Sequence, residues 1–364
     1  MQTVQKPYYL IDKKQTFRIK SGKKMTNDPQ YYIQGVLEQN KRILAKTITL
    51  IESSNPDHHA LARIIVDELL PHTGNSVRLG ITGVPGVGKS SFIESLGMML
   101  VRDKTHPLKK GGKISKTHKV AVLAVDPSSA RTGGSILADK TRMEKLCRQE
   151  RAFIRPSPSG GTLGGVARKT RETMLVCEAA GYDVIIVETV GVGQSETTVA
   201  SMSDFFLVLM LAGAGDELQG IKKGVLEIAD ALTINKADGD NTEKANQAKK
   251  QYENALHLLM PASPTWSPPV LTCSALETLG IETLWETILQ HREKFQASGE
   301  FEEKRRKQAL AWMWDMVQDG LRERFHRNPK VREKLPKLSR EVEQGSTAPT
   351  LAANELLSLV DGQA

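Results

Sequence analysis

Cysteine is scarce in this chain. Cys147, Cys177 and Cys273 are the only three, widely separated and with no C-x-x-C pair. That spacing argues against a disulfide framework or a cysteine zinc site and suits a reducing compartment. Aromatic residues make up only 5% of the chain, and no recognised nucleic-acid module is present. The net charge of +8 is concentrated towards the two ends, in Lys13, Lys14, Arg18, Lys20, Lys23 and Lys24 and again in Lys304, Arg305, Arg306 and Lys307. Without interleaved aromatics this excess reads as solvated basic faces, so no nucleic-acid partner is expected. Long apolar runs are missing too. The most apolar stretch, Phe205 to Ala212, is far short of the roughly 18 residues of a membrane span and has the length of a buried parallel strand. The basic start lacks the apolar core of a secretory signal and the character of a transit peptide. We therefore expect a cytoplasmic protein with no membrane partner. Internal repeats and low-complexity tracts are also absent.

What is present begins at Gly83. Gly83-Val84-Pro85-Gly86-Val87-Gly88-Lys89-Ser90 fits G-x-x-x-x-G-K-[ST] at every fixed position. Val77 to Thr82 before it reads as a short buried strand, and Ser91 with the residues after it opens a helix, which is the context this motif requires. Such a loop turns backbone N–H groups onto phosphate, and the helix N-terminus adds partial positive charge. In this arrangement Lys89 bridges the β- and γ-phosphates, the Ser90 hydroxyl is a Mg²⁺ ligand, and Ser91 lies beside them. These residues predict a nucleoside triphosphate site.

The base is read later in the chain. Ala231 to Ile234 is a β-type run ending in Asn235-Lys236-Ala237-Asp238. A carboxylate at Asp238 can accept both the N1–H and the 2-amino protons of guanine, a donor pair that adenine lacks. The Lys236 stem can lie along the base plane, and the Asn235 amide can brace the loop. Val270 to Cys273 supplies another strand, and Ser274-Ala275-Leu276 after it suits backbone contact with the guanine carbonyl. GTP, not ATP, is the expected nucleotide.

Two further strand ends carry carboxylates. Asp126 follows Val120 to Val125, and Asp139 lies beyond a Gly-containing loop; together they suit a Mg²⁺ site or a γ-phosphate sensor. Glu188 ends Val184 to Val187 and can hold the Mg²⁺ shell, while the Gly191 N–H can meet the γ-phosphate and move after hydrolysis. Lys89, Asp126 and Glu188 are thus the candidate catalytic residues.

Apolar strands alternating with helical stretches predict an α/β fold with a mostly parallel sheet flanked by helices and ligands at the carboxyl ends of its strands. We divide the 364 residues into a basic N-terminal segment (1–26), a helical extension (27–76), a nucleotide domain (77–298) and a helical C-terminal arm (299–364). Asp28 and Pro29 start the extension, which reads as two helices parted at Asn55-Pro56. In the arm, Leu310, Trp314, Val317, Leu321 and Phe325 share one helical stripe, which packs on its own domain or on a second subunit.

Taken together, the Gly83 to Ser90 loop, Asp126 to Ser129, Thr132 to Leu137, Glu188 to Glu196, Asp216 to Gly224 and Asn235 to Asp238 resemble the GTPase chaperones of methylmalonyl-CoA mutase. That family belongs to the metallochaperone branch of the P-loop GTPases and includes proteins once labelled lysine/arginine/ornithine transport ATPases. The resemblance runs from about Gln30 to the last helix. It implies a P-loop GTPase whose GTP hydrolysis is coupled to loading and protection of adenosylcobalamin on an acyl-CoA mutase, the cobalamin itself sitting on the partner; from the residues, Mg²⁺ is the expected cofactor and the C-terminal arm suggests a homodimer. Asp216, Glu217, Gln219 and Lys222 fall where that family carries a further switch facing the partner. Ala130 and Ala138 depart from the residues its members often have, Thr and Gly. A nickel-delivery GTPase would carry a His-rich tract or Cys/His ligands, which this sequence lacks; a transport-associated kinase and a GTP-binding adaptor are the other readings. Asp57-His58-His59-Ala60-Leu61-Ala62 only approximates a cobalamin motif and lies in an expected helix.

Overall fold

A computed structural model describes residues 28–102, 117–125, 143–156, 163–189, 195–213, 223–257 and 263–360. The first elements follow from their caps. Asp28 accepts the Gln30 N–H at 3.1 Å and Pro29 opens α1 (Pro29–Leu37). Helix α2 (Lys41–Glu52) starts at Asn40, whose side chain accepts from Arg42 N and Ile43 N, and α3 (Pro56–Leu69) starts at Asn55. The extension is therefore three helices where the sequence suggested two. Gln39 turns into the left-handed region (φ 61°) and Asn40 caps a new start. Because both helices bury the same apolar period on one core, the break leaves no gap in that period.

Then come β1 (Val77–Gly83), α4 (Lys89–Val101), β2 (Val120–Val125), α5 (Glu144–Cys147), β3 (Ala152–Arg155), α6 (Leu163–Ala179), β4 (Val184–Thr189), α7 (Ser195–Ala200) and β5 (Phe205–Leu211). They are followed by α8 (Lys223–Glu227), β6 (Ala231–Asn235), α9 (Thr242–His257), β7 (Val270–Thr272) and α10 (Ile281–Ser298). The C-terminal helices are α11 (Glu300–Arg327), α12 (Pro329–Glu343) and α13 (Pro349–Ser358). The seven strands form one sheet in the order β3-β2-β4-β1-β5-β6-β7, parallel throughout. Their carboxyl ends consequently share one edge.

Both faces of the sheet are covered, as near-continuous apolar strands require. Leu79, Ile81, Val184, Ile186 and Leu207 pack with Phe92 and Leu96 of α4 and with Trp285 and Ile288 of α10. On the opposite face, Leu123, Ile185, Val187 and Phe206 join Tyr32, Val36, Ile48 and Ile65 of the N-terminal helices and Val176 of α6. Truncating a fully buried ring such as Phe92 to Ala costs about 3–5 kcal/mol. On this second face α7 lies almost against β1. A Cβ on Gly80 would come within 2.4 Å of Ser203 Oγ and 2.9 Å of Val199 Cγ1. Only glycine permits that approach.

At the amino edge, ion pairs anchor the C-terminal helices. Arg305 pairs with Asp204 at 2.7 Å and donates to Ser76 O at 2.8 Å, while Lys304 pairs with Asp230 at 3.2 Å. These acceptors stand just before β5, β1 and β6. Burial opposes ionisation of Asp230, but Lys304, His291 and the Phe206 N–H hold its carboxyl below the usual range. Beyond Phe301, α11 has no fully buried residue. Leu310, Met313, Trp314, Val317 and Leu321 are exposed along it.

Candidate functional site

The phosphate loop joins β1 to α4 at the carboxyl edge. Gly88 caps α4 in the left-handed region (φ 88°), and a Cβ there would lie 3.1 Å from Asn235 Nδ2. Val87 is buried, and its carbonyl accepts from Asn235 Nδ2 at 2.8 Å. Lys89 Nζ donates to Gly83 O at 2.7 Å, folding the ammonium over the loop. Burial lowers the pKa of Lys89, with Glu188 and then Glu196 opposing that shift.

Glu188 is 3% exposed. It pairs in register with Ile81 of β1 and Ala124 of β2, which sets its carboxylate one strand from the phosphate loop. The next residue, Thr189, shares a buried hydroxyl–hydroxyl hydrogen bond of 2.9 Å with Thr82, tying the ends of β4 and β1 together.

The second motif closes β6. Lys236 adopts φ 60°, the kind of sparsely populated conformation that persists where surroundings over-determine it. Asn235 is buried and reaches three ways. Besides donating to Val87 O, its Oδ1 accepts from Ala275 N at 3.1 Å and from Cys273 Sγ at 3.4 Å. Ala237 N donates to Cys273 O at 2.9 Å. The Ser274 hydroxyl donates to Asp238 Oδ2 and accepts from Glu277 N. Asp238 is thereby oriented by the loop after β7. Leu276 on that loop is 86% exposed.

The described residues thus bring together Gly83, Val84, Pro85, Gly86, Val87, Gly88, Lys89, Ser90 and Ser91 with Glu188, Asn235, Lys236, Asp238, Ser274, Ala275 and Leu276 at one edge. Asp126, Asp139, Gly191, Asp216, Glu217, Gln219 and Lys222 lie outside the described residues. Two participants were not singled out from sequence. Glu196, in the first turn of α7, acts on the Lys89 ammonium, yet an acidic residue there reads as an ordinary helix start. Cys273 supports Asn235, and burial with the Asp238 charge pushes its thiol up to about 12. Among the described residues no group of three or more His, Cys, Asp or Glu side chains forms a metal cluster, and no helix is long and apolar enough to cross a membrane. His58 and His59, at the start of α3, are taken up by Ser53 just before that helix, at 2.7 and 2.6 Å.

The family model described as "Methylmalonyl Co-A mutase-associated GTPase MeaB" matches residues 44–330. The chain belongs to that family. It is 54% identical over 319 residues to a putative GTPase of Caulobacter vibrioides, covering 88% of this chain and 94% of that protein. To GTPase ArgK of Escherichia coli it is 52% identical, over 76% of this chain and 80% of the relative. The mitochondrial methylmalonic aciduria type A homolog of Mus musculus is 42% identical over 89% of this chain and 77% of its own length. A solved structure described as LAO/AO transport system kinase superposes with a TM-score of 0.71 at 39% identity, covering 92% and 97% of the two chains. This MeaB-family protein is a P-loop GTPase that hydrolyses GTP.

Proposed function

We propose that this GTPase is the chaperone of an adenosylcobalamin-dependent acyl-CoA mutase of the methylmalonyl-CoA type, gating the loading and protection of the mutase cofactor in the cytoplasm. The family match over residues 44–330, whose description names that mutase, carries the reading. The naming of the mouse relative supports it.

In this reading the N–H groups of Gly83 to Ser91 cradle the phosphates and Lys89 steadies charge between β and γ. Asp238 and Lys236 read guanine, with the Ser274 to Leu276 backbone at its carbonyl. The Ser90 hydroxyl and the buried Glu188 carboxylate are hard oxygen donors at the same edge, so the site fits Mg²⁺. Asp126 and Asp139 complete its donor set. A Mg²⁺ ion held by these residues would supply positive charge to offset that of the phosphates. Gly191 senses the γ-phosphate, and Asp216, Glu217, Gln219 and Lys222 form the switch that faces the mutase. Residues 77–298 are the GTPase domain, and the exposed stripe of α11 joins two copies into a homodimer.

GTP hydrolysis measured with and without the mutase, for wild type and Lys222→Ala, tests this. Acceleration of the wild type, reduced in the variant at unchanged GTP affinity, is expected. Equal stimulation of both proteins would discard the switch assignment, and no stimulation of either would discard the chaperone role.

A further inference from the structure

The helix with the exposed stripe turns its other side to the segment that leaves α7. Lys304 Nζ donates to Asp204 O at 2.7 Å and Gln308 Nε2 donates to Ser203 O at 2.9 Å. About two turns further along α11, Asp315 Oδ2 accepts from Arg171 Nη1 at 3.1 Å. The other arm of that guanidinium, Nη2, donates to Ser201 Oγ at 2.8 Å. Arg171 comes from α6, is 6% exposed, and lies 6.0 Å from the Trp312 ring centroid. Ser201 Oγ in turn donates to Thr198 O at 2.7 Å within α7. Helix α7 itself is pressed on β1 where Gly80 leaves no spare room. Its first turn, which follows the carboxyl end of β4, bears Glu196, whose charge favours the ammonium form of Lys89 in the phosphate loop.

A chain of polar contacts therefore runs from the C-terminal helix to the end of α7, the helix that packs on β1, and Arg171 is its only link between Asp315 and Ser201 among the contacts described. We propose that Arg171 is a positioning residue for GTP hydrolysis: held by Asp315 of α11, it fixes the carboxyl end of α7 and so sets that helix beside the phosphate loop. The planar, two-armed guanidinium suits this task, because a lysine ammonium cannot meet both partners in the same geometry. The role rests on GTP hydrolysis alone and requires no mutase, so its failure leaves the chaperone reading untouched.

The test uses the full chain and its basal GTPase reaction. The steady-state kcat and KM, with thermal unfolding, are measured for Arg171→Ala, Arg171→Lys, Asp315→Asn and the double variant Arg171→Ala/Asp315→Asn. Misplacing a group in the catalytic edge lowers kcat, so Arg171→Ala is expected to lose about tenfold or more in kcat with KM within about twofold. Asp315→Asn should lose a smaller multiple, Arg171→Lys should restore only part of the rate, and the double variant should be no slower than Arg171→Ala. A purely structural arginine would lower the unfolding temperature and leave kcat in place. A kcat within about twofold of wild type in folded Arg171→Ala overturns the proposal. If Arg171→Ala does not fold, Asp315→Asn decides: a wild-type kcat in that variant overturns it equally.

Discussion

The carboxyl edge of the sheet and the C-terminal helix α11 are built on opposite terms. At the edge, key polar side chains are held within the chain: Asn235 alone reaches Val87, Cys273 and Ala275, and Asp238 accepts from Ser274. On α11, the first turns are tied down by Lys304, Arg305 and Gln308, and then Leu310, Trp314 and Leu321 face solvent. The helix exposes contiguous apolar surface of the sort that marks an interaction site. One region is organised by what it binds chemically, the other by what it must still cover.

The sharpest way to break this contrast is at Lys89. Lys89→Ala should lower GTP hydrolysis by about 10³-fold, since a preorganised charge at the phosphates is lost, while circular dichroism reports an unchanged fold. A wild-type rate would place the chemistry elsewhere. Asn235→Ala comes next. It strips the hydrogen-bond partners of Val87 O and Ala275 N, and leaving buried groups unmet costs about 1–3 kcal/mol, so GTP affinity by calorimetry should fall roughly 10- to 100-fold. Affinity unchanged by that substitution would mean that the phosphate and base loops are set independently.

On the helix side, Trp314→Glu places a charge in the middle of the exposed stripe. Light scattering should show a wild-type dimer and a monomeric variant; identical masses would count against the stripe as the subunit contact. The smallest effect is expected from acid. Burial opposes ionisation of Glu178, yet Arg78, the Ser76 hydroxyl and the Gly74 N–H hold its pKa below the ordinary value. A carboxylate with a depressed folded pKa stabilises the protein above its unfolded pKa, and that contribution is lost as pH falls below about 4. Glu178→Gln should thus unfold at a lower temperature at pH 7 and lose less on acidification than wild type. Parallel curves for the two proteins would remove Glu178 from the acid response.

Much of this was legible in the residues because the phosphate loop and the Asn235 to Asp238 motif need particular side chains at fixed spacing. The parallel sheet followed from strands too apolar to face water. Other parts carried no such signal. Strand β3, Ala152–Arg155, has four residues at the sheet edge, two of them only half-buried, so neither its length nor its pattern marks it. The break between α1 and α2 rests on the backbone of Gln39 and the cap at Asn40, which leave the apolar period intact. Helix α12 contains Pro336, a residue that ordinarily argues against a helix interior. Arg171 looks like any charged residue of an amphipathic helix until Asp315 and Ser201 are brought to it, from 144 and 30 positions away.

Guanine selectivity is tested most directly by titrating the full chain with GTP and with ATP, in Mg²⁺, for wild type and Asp238→Asn. Asp238 is held by the Ser274 hydroxyl, and if it reads guanine as proposed, GTP should bind about 10⁴-fold more tightly than ATP. The Asp238→Asn variant should lose GTP and gain xanthosine triphosphate, whose 2-oxo group can pair with the amide. Comparable affinities of the wild type for GTP and ATP would contradict the assignment of this edge as a guanine-nucleotide site.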